Sequence, residues 1–252
     1  MIEVSDVSVT LGGSLILDRV SLALPKVGVT ALVGPNGAGK SSLLSLIARL
    51  RPLQTGHITV GGLPVDTTPT RQLAKVMAIL RQDPGVASRL RVAELVGFGR
   101  FPHSGGRLTA EDRAIVAKTL EQFGLADLAA RFIDTLSGGQ RQRALVAMTF
   151  CQGTDYILLD EPLNNLDMFH QRELMRTLRT MADAHGKTVL VVLHDINHAA
   201  AYADRVVAMK NGRIAVSGET REIIRPDILE TVFGFPMRVE TMAGRLTVLH
   251  HA

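Results

Sequence analysis

The stretch Gly34-Pro35-Asn36-Gly37-Ala38-Gly39-Lys40-Ser41-Ser42 follows directly on the apolar run Val29-Thr30-Ala31-Leu32-Val33. It fits G-x-x-x-x-G-K-[ST], and both flanks supply what that pattern needs. A β-branched run precedes it, and Leu43, Leu44, Leu46 and Ile47 follow at helical spacing. The chemistry implied is phosphate binding. Glycines at 34, 37 and 39 let successive backbone N–H groups turn towards one anion, at the positive end of the next helix. Lys40 would reach the β- and γ-phosphates, and the Ser41 hydroxyl would sit on Mg²⁺.

Outward from that loop the chain alternates strands and helices. Residues 2–10 and 15–24 read as strands joined at Gly12-Gly13, and 28–33 as the strand feeding the phosphate loop. The helix from Lys40 runs to about Leu50, before Pro52 and Gly56. Short strands follow at 57–60 and 76–80. From about 84 to 135 the character turns helical, with Ile115, Val116, Thr119, Leu120 and Phe123 on one stripe. Ser137 opens a helix to about Phe150, so the inserted helical lobe spans about 84–150 of a single 1–252 domain. Then come a strand at 156–159, a helix at 168–184, a strand at 188–193 and a hairpin around Asn211-Gly212. The tail holds short helices and a hairpin at Ala243-Gly244. Strands apolar throughout, alternating with helices, predict a largely parallel sheet covered on both faces.

Composition narrows the class. At 252 residues, with 46% hydrophobic and 21% charged residues, the chain has the make-up of a soluble globular protein with one large core. One cysteine, Cys151, cannot form an internal disulfide and is expected to pack as a small apolar residue. The N-terminus shows strand-like alternation rather than a signal peptide, and no window approaches a membrane span. The expectation is a cytosolic protein, or one held at a membrane by a partner. A net charge of +4, scattered rather than clustered, argues for no nucleic-acid partner.

Two further stretches carry chemistry. Tyr156-Ile157-Leu158-Leu159-Asp160-Glu161 is a buried strand that delivers two carboxylates to the carboxyl edge of the sheet, where open α/β sheets bind ligands. Asp160 fits the acid that holds Mg²⁺ beside Ser41, and Glu161 is placed to polarise a water in line with the γ-phosphate. Ser137-Gly138-Gly139-Gln140 opens a second helix with exposed N–H groups, a second anion site. One nucleotide does not need both glycine-rich helix ends from one subunit; a site shared between two subunits does.

GPNGAGKSS, LSGGQ and ILLDEP in that order, with Gln82 between the first two and His194 after the third, resemble the nucleotide-binding subunit of ABC transporters. The resemblance covers almost the whole chain. It implies an α/β fold with a P-loop NTPase core, an N-terminal antiparallel β subdomain and an inserted α-helical lobe. It implies an ATPase working as a head-to-tail homodimer with ATP and Mg²⁺. Each ATP would lie between Gly34–Ser42 of one subunit and Ser137–Gln140 of the other. By the same resemblance Glu161 is the general base, His194 bonds the γ-phosphate, and Gln82 touches Mg²⁺ and the attacking water. Asn165, Leu166 and Asp167 match the loop linking the two sites. Leu11 holds the place where an aromatic residue stacking on adenine is expected, which predicts weaker base discrimination. The other histidines, including His57, His103, His170, His185, His198, His250 and His251, read as structural.

Finer strings resemble one branch of the family. Gly97-Phe98-Gly99-Arg100-Phe101-Pro102-His103 looks like a segment of subunits importing iron-siderophores, haem or cobalamin. Leu163-Asn164-Asn165-Leu166-Asp167-Met168 looks like the ferric catecholate siderophore branch. The partners implied are two integral-membrane permeases and, indirectly, a periplasmic or lipid-anchored binding protein, with this subunit peripheral on the cytoplasmic face. Arg100, Phe101 and Pro102 form an expected docking surface for a permease helix, although at least one of Phe98 and Phe101 also suits the core of the lobe. The rival class is a soluble ABC ATPase acting on ribosomes or DNA. It would bring a second cassette or heptad arms, which this chain lacks.

Overall fold

The computed structural model describes residues 1–82 and 89–250. Alternating apolar positions Ile2, Val4, Val7 and Val9 build β1 (Ile2–Leu11), and Gly12 and Gly13, both at positive φ, turn it into β2 (Ser14–Leu24). β3 (Gly28–Val33) leads through the phosphate loop into α1 (Lys40–Ile47). α1 stops short of Leu50 because Arg49 takes φ 53°, outside the helical region. β4 (His57–Val60) and β5 (Leu63–Pro64) complete a four-stranded antiparallel sheet of order β2-β1-β4-β5. α2 (Thr70–Val76) then precedes β6 (Met77–Leu80); it buries only Leu73 and so carries no apolar stripe in the sequence.

A helical segment follows, with α3 (Val92–Phe98), α4 (Phe101–Ser104), α5 (Ala110–Gln122) and α6 (Gly138–Cys151). The strand-helix rhythm resumes with β7 (Tyr156–Asp160), α7 (Met168–His185), β8 (Thr188–Val192), α8 (Ile196–Tyr202) and β9 (Arg205–Lys210). β10 (Arg213–Glu219) returns antiparallel across the Asn211-Gly212 turn. α9 (Thr220–Ile223), α10 (Pro226–Phe233) and the hairpin β11 (Arg238–Met242) and β12 (Arg245–Leu249) end the described chain.

The central sheet has the order β10-β9-β3-β8-β7-β6, parallel except for the β10 edge. Its inner strands alternate between two cores. Val29, Ala31, Ile157, Leu159, Val189 and Val191 face a cluster shared with α5, α6 and α7. Leu32, Leu158, Leu190 and Val192 face a second cluster with α1 and the antiparallel sheet. Burial on both faces explains the unbroken apolar runs, since each buried aliphatic contributes about 1.5–3 kcal/mol over exposure. The antiparallel sheet therefore covers one face that helices alone would cover in a simple doubly wound fold.

The helical segment corrects one expectation about its surface. Arg100 is buried, not presented for docking: its Nε donates to Asp112 Oδ1 at 2.9 Å, and its Nη1 donates to the carbonyls of Cys151 and Gln152 at 3.1 Å each. The guanidinium thus fixes the end of α6 to the start of α5. Phe98 and Phe101 are 51% and 58% exposed, so neither belongs to the core of this segment. Cys151 is buried. The first residues of the expected helical lobe, 84–88, and His251 lie outside the described residues.

Candidate functional site

The phosphate loop owes its shape to three glycines in the left-handed region. Gly34 sits at φ 140°, and a Cβ there would lie 2.1 Å from the Met209 carbonyl oxygen. No other residue fits. Gly39, at φ 98°, would place a Cβ 2.7 Å from Leu17 Cδ2. Among the described residues no backbone acceptor takes the N–H groups of Gly37, Gly39, Lys40 or Ser41. Those donors are what a phosphate would accept from. Lys40 is buried, and its ammonium donates to the carbonyls of Gly34 (2.8 Å) and Pro35 (3.0 Å). Burial pushes its pKa down, while the nearby Glu161 and Asp160 oppose that shift.

Four neighbouring strands end at the same sheet edge. The register aligns Leu32, Val192 and Asp160 in one row, with Leu80 paired to Leu159 alongside. The residues just past those strand ends are the ones singled out in the sequence: Gly34 after β3, Glu161 after β7, Gln82 after β6 and His194 after β8. Ser41 Oγ donates to Asp160 Oδ1 at 2.8 Å. Burial raises the Asp160 pKa, and the Ser41 bond works against it.

Glu161 is the hub. It holds φ 50°, a left-handed conformation that costs a non-glycine residue about 1–3 kcal/mol. Its Oε2 accepts from Gln82 Nε2 at 2.6 Å and from Asn164 Nδ2 at 2.7 Å. Its Oε1 lies 2.6 Å from His194 Nε2. A cavity of about 300 Å³ opens beside it, lined by Asn164, Asn165, His194 and His198 among others.

Ser137–Gln140 stand elsewhere. Ser137 Oγ accepts from the Gln140 N–H at 3.3 Å, and Gln140 Oε1 accepts from the Ser137 N–H at 3.1 Å, a capping box. No hydrogen bond or ion pair joins these residues to Gly34–Ser42 among the described residues. They back instead onto the loop after Glu161: a Cβ on Gly138 would lie 3.7 Å from Asn165, and Gln142 Nε2 donates to the Pro162 carbonyl at 3.0 Å. Within one chain no hydrogen bond or ion pair among the described residues links the two glycine-rich helix starts.

The oxygen set suits Mg²⁺. Ser41 Oγ and Asp160 Oδ1 converge at 2.8 Å, a hydroxyl and one carboxylate, with Gln82 on the adjoining strand end. Mg²⁺ takes oxygen ligands and commonly uses one carboxylate together with substrate phosphates. Among the described residues no cluster of three or more His, Cys, Asp or Glu could hold a metal alone.

A family model described as ABC transporter matches residues 17–164, more than half of the chain. The chain belongs to the ABC transporter family. The petrobactin import ATP-binding protein FatE of Bacillus anthracis is 46% identical over 244 residues, 97% of each chain. The petrobactin import ATP-binding protein YclP of Bacillus subtilis is 44% identical over 242 residues, 96% of each. A solved dimeric post-hydrolysis state of the ATP-binding cassette MJ0796, bound to ADP and Pi, superposes with a TM-score of 0.78. It is 26% identical, over 88% of this chain and 99% of that one. The fold is thus the P-loop ABC ATPase core with its antiparallel β subdomain and helical region.

Within this ABC cassette, sequence reasoning missed two polar partners. Asn164 entered only as part of a string, yet it donates to Glu161. His198, expected to be structural, lines the cavity by Glu161 and lies 3.2 Å from Gln171 Oε1. The His198 contact joins positions 27 apart, which no local spacing rule signals. His170 stays structural, bonded to the N-cap Asp167 of α7 at 2.8 Å.

Proposed function

We propose that this ATPase works as a head-to-tail homodimer that powers import of an iron-siderophore complex through two permease subunits, from the cytoplasmic face of the inner membrane. The observation that carries the reading is the Glu161 carboxylate, held by Gln82, Asn164 and His194 at the sheet edge that bears the phosphate loop. It joins the import role named for FatE and YclP. The loop Gly34–Ser42 supplies half of a nucleotide site, and Ser137–Gln140 of a second copy would close it. Among the described residues no helix is long and apolar enough to cross a membrane, so the path for the chelate would come from the permeases.

The roles divide by chemistry. Backbone N–H groups of the loop and Lys40 hold the β- and γ-phosphates; Ser41, Asp160 and Gln82 would hold Mg²⁺, which neutralises phosphate charge when bound. Glu161 accepts the proton of the attacking water as general base, and His194 positions the γ-phosphate end of the site. An apolar groove of about 260 Å³ lined by Leu90, Phe98, Phe101 and Leu108 suits a permease helix, and both phenylalanines are exposed there.

The test is uptake. In cells deleted for this protein, the wild-type chain should restore accumulation of a labelled ferric catecholate chelate, and Glu161→Gln should not. Restoration by the Gln variant would remove Glu161 as base; failure of the wild type with its own permeases would remove the siderophore assignment.

A further inference from the structure

A cavity of about 790 Å³ lies at the amino edge of the central sheet, opposite the edge that carries the phosphate loop. The start of β9, the end of α8, the start of α9 and the tip of the β11–β12 hairpin wall it. Arg205, Arg221 and Arg245 line it. An adjoining cavity of about 300 Å³ shares Ala201 and Arg245 with it and adds Arg172, Arg176 and Arg179 of α7. The spacing of those three, four and then three residues, stacks them on one helix face.

Carboxylates do not balance this charge. Six arginines line the two cavities, against Asp204 and Glu219. Asp204 Oδ2 is already taken by Arg179 Nη1 (2.6 Å) and the Val29 N–H (2.8 Å), and Glu219 caps α9. Arg179 also pairs with Asp183, and Arg176 lies 3.3 Å from Glu173. Arg172, Arg205, Arg221 and Arg245 have no carboxylate within 4.0 Å among the described residues. Arg205 Nε is buried with no hydrogen-bond partner. A buried donor without an acceptor is costly, and native proteins leave few of them. Guanidinium groups in this density match the paired oxygens of phosphate and carboxylate.

We propose that this arginine-lined cavity binds a small polyanion bearing phosphate or carboxylate groups, separately from the nucleotide. The site is joined to the nucleotide edge by two helices. α7 is capped by Asp167, in the loop after Glu161, and passes the cavity with Arg172, Arg176 and Arg179; α8 is capped by Asp195, beside His194, and ends at the cavity. The hairpin is tied to α8 by Asn197, which donates to the Val248 carbonyl (3.1 Å) and accepts from the Val248 N–H (2.8 Å). An anion bridging Arg245 to Arg176 would fasten hairpin, α8 and α7 together.

The test is calorimetric titration of the full chain, with the phosphate loop first saturated by ADP. Inorganic pyrophosphate and citrate serve as separate probes in metal-free, low-salt buffer, and so distinguish phosphate from carboxylate ligands. The expected result is saturable one-to-one binding of at least one probe, with Kd below about 1 mM and weaker in added salt. The double variant Arg221→Glu/Arg245→Glu changes two exposed positions and should keep the fold, checked by its melting temperature. It should weaken binding roughly 10-fold or more. No saturable binding of either probe, or binding that the double variant leaves within about twofold, overturns the proposal.

Discussion

The helix after Gly34–Ser42 and the helix after Ser137 both start with glycines, yet their first turns are finished in different ways. At α1 the N-cap is Gly39, with no side chain to cap the turn, and the N–H groups of Gly37, Gly39, Lys40 and Ser41 have no backbone acceptor among the described residues. Lys40 is buried beneath them. That end is left open for an outside anion. At α6 the side chains of Ser137 and Gln140 cap each other's N–H groups, the Gly138 and Gly139 N–H groups stay without a backbone acceptor among the described residues, and Ser137 is exposed. One end is a pocket wanting a ligand; the other is a stable, outward surface that can be laid on someone else's ligand. The glycines serve conformation in the first case. In the second they keep side chains off a surface that would meet another subunit.

The sharpest way to break this contrast is at Glu161, which belongs to the open half. Glu161→Gln keeps the size and hydrogen-bond reach of the side chain but removes the proton acceptor. Turnover should fall by roughly 10²-fold or more while ATP affinity stays near wild type. Phosphate release in single turnover, with nucleotide binding measured in parallel, separates the two. Hydrolysis at the parent rate would refute the base assignment. Next comes Lys40→Ala, which removes a charge-assisted contact worth about 1.5–3 kcal/mol and should weaken ATP binding roughly 10- to 100-fold. Unchanged affinity would mean that the open turn is not the phosphate site.

The other half is tested through the support of α6. Arg100 holds the carbonyls of Cys151 and Gln152 at the far end of that helix and pairs with the buried Asp112. Arg100→Ala should lower the melting temperature by roughly 5–10 °C and reduce turnover, with ATP affinity unchanged. A loss of affinity equal to the loss of turnover would show that the halves are not separable. The pair also carries a pH signature. Arg100, and then Thr109, hold the Asp112 pKa at about 2, below the unfolded value of about 3.9. The carboxylate therefore adds stability that is complete above pH ~4 and is lost as the pH falls towards 2. The melting-temperature difference between wild type and Asp112→Asn should shrink across that window, and a constant difference would remove the ion pair as its cause.

What the sequence made legible follows from range along the chain. β3, β7 and β8 announce themselves because both faces are buried, which forces unbroken apolar runs, and turns such as Asn211-Gly212 are fixed by local backbone needs. The edge where Gly34, Gln82, Glu161 and His194 gather follows from strand ends in a parallel sheet. Arg100 was misread as a surface residue because its partner Asp112 lies on another helix, and only packing pairs them. α2 hides because one buried leucine makes no stripe. The arginines from 172 to 245 escape notice because their meeting depends on how α7, α8 and the last hairpin pack, which no short spacing encodes, and Asn164 because its bond to Glu161 depends on the turn that the loop takes at Glu161.

The smallest expected effect concerns Leu11, where the family resemblance expects the ring that meets adenine. It ends β1, faces Ser14 across the hairpin, and is half-buried against the core of the antiparallel sheet. Where the family resemblance expects an aromatic ring on adenine, leucine gives apolar contact without the ring's π-face. Stacking is worth about 0.5–1.5 kcal/mol, so Leu11→Tyr should tighten ATP binding by only about 2- to 12-fold. The wild type should separate ATP from GTP poorly in a competition titration, and the tyrosine variant should separate them better. The leucine side chain already packs against the sheet's core, so the variant's melting temperature must be followed alongside affinity. A wild type that already prefers ATP strongly would place base recognition elsewhere and leave the phosphate loop as the only part of the open half that binds nucleotide through this end of the chain.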